Sequence, residues 1–283
     1  MPSLTIRTIE IHGSSFLSGL GSDEFVDRLA EKLSGFVERA TGSGCDGGFS
    51  HYVCSSTLDI TCSAGWFEPL ELIRKVYDVS GLRCAYSNAM QCATWGFLVR
   101  QHLAHKSDVR NILISVVDAN PLGMRFWENN IAWGRTGHRV TLVHLQVPQR
   151  ADADAGEGEW EPPVGAVSIG KCNPATVLYD YALEIQRAMA RHPDHILAIP
   201  YFEEKMRKGL KRNMGGYAYL PDLYEEFGHL CGSDPWMSIA RDFSHAGAAG
   251  KCYLASSFAS EGYCCFLSAA TDAQSRISIE GQA

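Results

Sequence analysis

Residues 111–118 read Asn-Ile-Leu-Ile-Ser-Val-Val-Asp, an almost unbroken apolar run closed by a carboxylate. A run this short and this β-branched predicts a strand buried on both faces. Comparable signals recur along the chain. Residues 4–12 alternate as a strand does. Residues 23–41 set Phe25, Leu29, Leu33, Phe36 and Val37 at helical spacing, with Ser22 as the expected N-cap and the glycine-rich stretch 42–48 as the stop. A strand is expected over 50–56, a short helix over 68–79 stopped at Ser80-Gly81, a strand over 82–87, a helix over 92–105 and a strand over 137–147.

Residues 149–163 break this rhythm. They are rich in Ala, Asp, Gly and Glu, end in Pro162-Pro163, and predict an exposed connector. Beyond them the order of elements repeats: helix 177–191, strand 195–200, helix 205–214, a short strand within 222–231, and helix 234–243. Two apolar strands, 251–257 and 262–269, follow as a hairpin around Phe258-Ala259-Ser260-Glu261, and residues after Thr271 are expected to fray. Strands alternating with helices imply a layered α/β protein. The like order of 1–148 and 164–283, on either side of the 149–163 connector, suggests internal duplication.

Charge narrows the function. The net charge is −7 and the pI about 5.8, which disfavours a nucleic-acid partner. The densest basic stretch, residues 205–212, lies beside Glu203 and Glu204 and reads as a solvated helix face, with a carrier-protein dock as the alternative. No leader pattern opens the chain, and no apolar run approaches the roughly 20 residues of a membrane span. Ten irregularly spaced cysteines then point to reduced thiols in the cytoplasm. No C-x-x-C pair or His/Cys spacing suggests a metal, no G-x-G-x-x-G follows an early strand, and no cofactor is expected.

Among the thiols Cys92 stands apart. It follows the small and polar stretch Ser87-Asn88-Ala89-Met90-Gln91 and opens a helical pattern. The N-terminus of a helix carries roughly +0.5 charge, which favours a thiolate there.

These residues resemble the thiolase fold, and within it ketoacyl synthase III and its acyltransferase relatives. The resemblance rests on Ser87-Asn88-Ala89-Met90-Gln91-Cys92-Ala93-Thr94-Trp95-Gly96, on the strand 112–118 that follows, and on the closing hairpin 250–269, where Gly262 remains and Ser256, Ser257, Ala259 and Ser260 stand in place of the usual glycines. It implies a five-layer αβαβα fold of two pseudo-repeated halves, with Cys92 as the acyl-accepting nucleophile. It also implies a histidine and an asparagine as partners. Tyr201, in Ala198-Ile199-Pro200-Tyr201, stands at the histidine's place. Ser233, thirty-two residues on, or Asp234 after a one-residue shift, stands at the asparagine's. His229 is the nearest outside candidate for a base, and Trp95, Ser257, Ser260 and Gly262 fall where substrate would bind. Trp66, Trp127 and Trp133 could narrow a tunnel.

Carbon–carbon condensation normally draws on both missing hydrogen-bond donors, and losing one such donor costs about 10²–10³ in rate. Acyl transfer needs less. The expected function is transfer of an acyl group from acyl-CoA or an acyl carrier protein through Cys92 to a small acceptor, in a homodimer or a heterodimer with a ketosynthase-like chain. The alternatives are a catalytically degenerate partner subunit and a plain acyl-binding protein. A cysteine protease or amidase would need a histidine held by Asn or Asp near Cys92, which the order of elements does not suggest.

Overall fold

The computed structural model describes residues 3–105, 108–130, 133–148, 163–169, 176–246 and 250–280. All but one residue of the expected 149–163 connector lies outside them. In the first half the elements are β1 (Leu4–Gly13), α1 (Ser22–Thr41), β2 (Phe49–Cys54), α2 (Asp59–Ser63), α3 (Pro69–Ser80), β3 (Cys84–Ser87), α4 (Thr94–His105), β4 (Asn111–Asp118), α5 (Arg125–Glu128), β5 (Asn129–Asn130), β6 (Gly134–Arg135) and β7 (Arg139–Gln146). In the second they are β8 (Val164–Ser168), α6 (Val177–Arg191), β9 (Ile196–Ala198), α7 (Glu204–Met214), α8 (Tyr224–Phe227), α9 (Asp234–Ala246), β10 (Cys252–Ala259) and β11 (Tyr263–Ile279).

One mixed sheet runs β3-β2-β4-β7-β1-β11-β10-β9, with β8 added against β11. The central strand β4 is buried along its whole length. On β4, Leu113 and Val117 belong to one core cluster while Ile112, Ile114 and Val116 belong to another. Cys264 and Cys265 on β11 likewise fall on opposite faces, as alternate residues of a strand must.

The three core clusters define five layers. α1 and α3 cover the outer face of the first-half strands through Phe25, Leu29, Leu33, Phe36, Leu72 and Val76. α6 and α7 cover the outer face of the second-half strands through Tyr181, Ile185, Met189, Leu210 and Met214. Between the two sheet halves lie α4 and α9, joined by an edge-on contact of Trp95 and Trp236 at 5.1 Å. Residues 234–240 of α9 are all buried, Asp234 and Ser238 included. This is the α/β thiolase-like architecture expected.

α4 approaches β11 so closely that only glycine fits at position 96. A Cβ there would lie 2.3 Å from the Cβ of Cys265. α3 ends where its Ser80-Gly81 signal predicts, with Gly81 at φ 69° and its N–H on the Tyr77 carbonyl.

Three expectations need correction. Ser22 begins α1 rather than capping it: its hydroxyl donates to the Trp66 carbonyl, and Gly21 is the N-cap. Residues 222–231 hold the short helix α8 instead of a strand, and only His229 makes a β-bridge, to Thr136. Residues after Thr271 do not fray. β11 continues to Ile279 and pairs in parallel with β1, from Thr8↔Arg276 to Ile11↔Ile279. A bulge at 272–275 hid this strand from its pattern. It is held by Arg7 Nη1 on Asp272 Oδ2 at 2.6 Å and by Ser275 Oγ on the Ile6 carbonyl at 2.6 Å.

Gly96→Ala should lower the urea midpoint by the equivalent of about 1–3 kcal/mol or more, since the clash is with a Cβ that has no rotamer to escape into. Removing residues 272–283 should also lower the midpoint clearly, where loss of a frayed tail would leave it unchanged.

Candidate active site

The site forms where the ends of β2 and β4 meet the starts of the two central helices. Each helix is entered through a three-residue 3₁₀ turn, Gln91–Ala93 before α4 and Cys231–Ser233 before α9. Each turn begins on a left-handed residue, Gln91 at φ 44° and Cys231 at φ 53°. These are the only non-glycine residues with positive φ among those described, and each such conformation costs about 1–3 kcal/mol. The two turns match in backbone: Cys92 and Gly232 occupy like places in them, as do Thr94 and Asp234. Gly232 lets the turns nest, because a Cβ there would sit 2.9 Å from Val116 and 3.4 Å from the Cys92 carbonyl.

Two buried carboxylates fix the nest. Asp118, at the end of β4, accepts from Ser56 N at 2.8 Å and from Gly232 N at 3.1 Å. Asp234 accepts from Leu230 N at 2.6 Å and from Tyr201 N at 2.9 Å. Its Oδ2 also lies 2.7 Å from His229 Nδ1. The His229 backbone is held too, its N–H on the Arg135 carbonyl and its carbonyl on the Gly137 N–H. Its ring stacks on Phe202 at 5.9 Å. With Nδ1 engaged by Asp234, Nε2 is left for the sulfur of Cys92.

The result is a Cys92–His229–Asp234 sequence of contacts. A hydrogen bond from the Cys231 thiol and the neighbouring His229 hold the Cys92 thiol well below its usual range, against the effect of burial. The proton stays on Cys231, whose own thiol is pushed well up by that bond and by burial. Burial opposes a charge on His229, but Asp234 and Cys92 overcome it and raise the imidazole well above its ordinary value. Both shifts favour a thiolate–imidazolium pair. Burial lifts Asp234 to about 6, with the His229 charge opposing, and lifts Asp118 to about 8, with the Cys92 charge adding to it.

Cys92 and His229 face a cavity of about 250 Å³. Its walls are aromatic, from Phe126, Trp127, Trp133, Phe202 and Phe258, and its charged lining residues are Asp59 and Glu261.

The sequence-derived candidates divide. Cys92, His229 and Asp234 come together. Ser260 lines the cavity, in the turn that ends at Gly262 (φ 90°). The Tyr201 hydroxyl is buried against Ser238 Oγ at 2.7 Å, so its contact with the site runs through its backbone. Ser233 is fully buried, and its hydroxyl meets no partner in the described residues. Trp95 Nε1 donates to Ser257 Oγ at 3.0 Å inside the core. Trp127 and Trp133 line the cavity, whereas Trp66 packs on Phe25. Asp118 and Cys231 were missed. The polar end of an otherwise apolar strand was the available signal for the first, and the His229-Leu230-Cys231 spacing for the second. Cys92, His229 and Cys231 also place their ligand atoms within 4.8 Å of one another.

Alkylation of Cys92 by iodoacetamide, followed by peptide mass spectrometry against pH, should keep its rate well below the thiol range near 8.5. A lowered pKa leaves the thiolate in place as pH falls. His229→Ala should move the profile up toward that of an ordinary thiol.

No helix among the described residues is long and apolar enough to cross a membrane. No protein-family model matches the chain, and no curated protein matches its sequence. Solved structures do. The acyltransferase ChlB3 is 14% identical over 96% of this chain and 99% of its own, with a TM-score of 0.62. The priming β-ketosynthase of the R1128 polyketide pathway is 9% identical over 94% and 95%, with a TM-score of 0.60. The 3-oxoacyl-(acyl carrier protein) synthase III of Pseudomonas aeruginosa PAO1 is 12% identical over 96% and 99%, with a TM-score of 0.57. At such identities the likeness speaks for the backbone alone, and the chain has the thiolase-like fold of ketoacyl synthase III structures and of the acyltransferases that share it.

Proposed function

We propose that this protein is an acyltransferase in which Cys92 takes an acyl group from a CoA or carrier-protein thioester and passes it to a small acceptor in a biosynthetic reaction. The observation that carries this reading is the placement of His229 between Asp234 and Cys92 at the mouth of α4.

The chemistry closes on these groups. The Cys92 thiolate attacks the thioester carbonyl, and the carbon–sulfur bond to the donor breaks as the His229 imidazolium protonates the leaving thiolate. Acyl-Cys92 and a neutral imidazole remain. An amine or hydroxyl then attacks the acyl carbon while His229 takes its proton, and Cys92 departs as a thiolate, restoring the ion pair. Such acid–base assistance contributes about 10²–10⁴ in rate. Asp234 holds the ring through Nδ1 in both steps. The backbone N–H groups of Ser260 and Glu261 are the donors proposed for the oxyanion, that of Gly262 being held by the Ala259 carbonyl.

The aromatic walls and the Asp59 and Glu261 carboxylates suit a neutral or cationic acceptor better than an anionic one. α7 gives Met206 to the cavity wall and carries Lys205, Lys208, Lys211 and Arg212, so an acidic carrier protein could dock beside the opening. A homodimer, or a dimer with a ketosynthase-like chain, working in the cytoplasm fits this role. The complete thiol–imidazole–carboxylate set favours an active subunit over a degenerate one. It also supplies the Asp-held histidine that a cysteine hydrolase would need, although aromatic walls around the sulfur oppose attack by water.

Intact-mass measurement after incubation with acyl-CoA and acyl-carrier-protein panels should show one acyl adduct, absent in Cys92→Ser. Turnover by His229→Ala should fall by about 10²–10⁴. Turnover should also decline as pH drops through about 6, because protonating Asp234 releases the imidazole. No adduct from any thioester would overturn the reading.

A further inference from the structure

In acyl transfer Cys231 serves only as a hydrogen-bond donor to Cys92. Cys231 is 1% exposed, sits in a strained left-handed conformation, and directs its thiol at Cys92. We propose that Cys92, His229 and Cys231 form a Cys₂His site for a soft divalent metal, Zn²⁺ in particular, and that metal bound there silences the nucleophile.

Geometry carries the proposal. The three ligand atoms lie within 4.8 Å of one another. A tetrahedral zinc with bonds of about 2.3 Å to sulfur and 2.0–2.1 Å to nitrogen separates its ligands by roughly 3.5–3.8 Å, so side-chain adjustment of about an ångström closes the site. Asp234 holds His229 Nδ1 at 2.7 Å, the carboxylate–histidine arrangement that orients an imidazole toward a metal. Two thiolates and one imidazole select zinc over magnesium or calcium. The fourth position opens on the cavity that Cys92, His229 and Cys231 line, leaving room for water.

Binding joins Zn²⁺ to both sulfurs and to Nε2, and releases the Cys231 thiol proton and the His229 imidazolium proton to solvent. The Cys92 lone pair is then committed to the metal and unavailable to a thioester. The proposal concerns the ligand set and holds whether or not the acyl acceptor is the one suggested above.

The test uses the full chain freed of metal with EDTA. Co²⁺, added as a spectroscopic stand-in, should give sulfur-to-cobalt charge transfer and tetrahedral d–d bands saturating at one equivalent. Native mass spectrometry should show one Zn²⁺. One equivalent of Zn²⁺ should block iodoacetamide at Cys92, and EDTA should restore it. Cys231→Ser and His229→Gln, each checked for folding by circular dichroism, should weaken Zn²⁺ binding at least about 10-fold. Should either variant fail to fold, the cobalt spectrum and the protection of Cys92 in the unaltered chain decide. An octahedral cobalt spectrum, no protection of Cys92, or equal affinity in both folded variants would overturn the proposal. Acylation of Cys92 in the presence of EDTA reports separately on the acyl-transfer reading.

Discussion

The carboxylate of Asp234 is the interaction on which the site depends. Burying an ionised carboxylate costs several kcal/mol unless its oxygens are satisfied. Here they take the Leu230 and Tyr201 N–H groups and the His229 ring. The segment leaving β9, the turn entering α9 and the imidazole are thereby fixed to one another. Their positions are three consequences of one buried charge.

Asp118 plays the matching part in the first half. It ties the segment after β2 to the turn before α9 through Ser56 and Gly232. Because the Cys92 charge helps hold its carboxyl up to about 8, the two groups share an electrostatic balance. Any reaction that neutralises the sulfur makes ionisation of Asp118 easier. The central helices make this balance strong. Their N-termini converge in the buried interior, so the charged groups there lie where little water screens them.

Much of this was legible in the chain. The strand 111–118, the glycine stop at Gly81 and the helix opened by Cys92 were written in local pattern, because burial on two faces and left-handed turns leave compositional marks. His229 was visible only as a histidine near Ser233. Its role depends on a β-bridge to Thr136, some ninety residues earlier, which no local pattern reveals. Tyr201 shows the reverse case. Its place in Ile199-Pro200-Tyr201 suggested a side chain in the site, yet its hydroxyl turns to Ser238 and its backbone does the work. The end of β11 escaped notice because the bulge at 272–275 interrupts its alternation, while its pairing with β1 depends on a partner at the far end of the sequence.

That pairing has a consequence for how the molecule comes into being. Ser3 bonds Ser268, and Arg7 bonds Asp272, across 265 residues in each case. Closing loops of that length is entropically expensive and slow. On a ribosome, β1 emerges first and waits for almost the whole chain before its parallel neighbour exists. Until then it has only β7, and one of its edges stays open to wrong partners. Cys92 and His229 lie on opposite sides of the same delay. The contact between Cys92 and His229 therefore waits for the second half of the chain, and a nascent chain carries Cys92 without it.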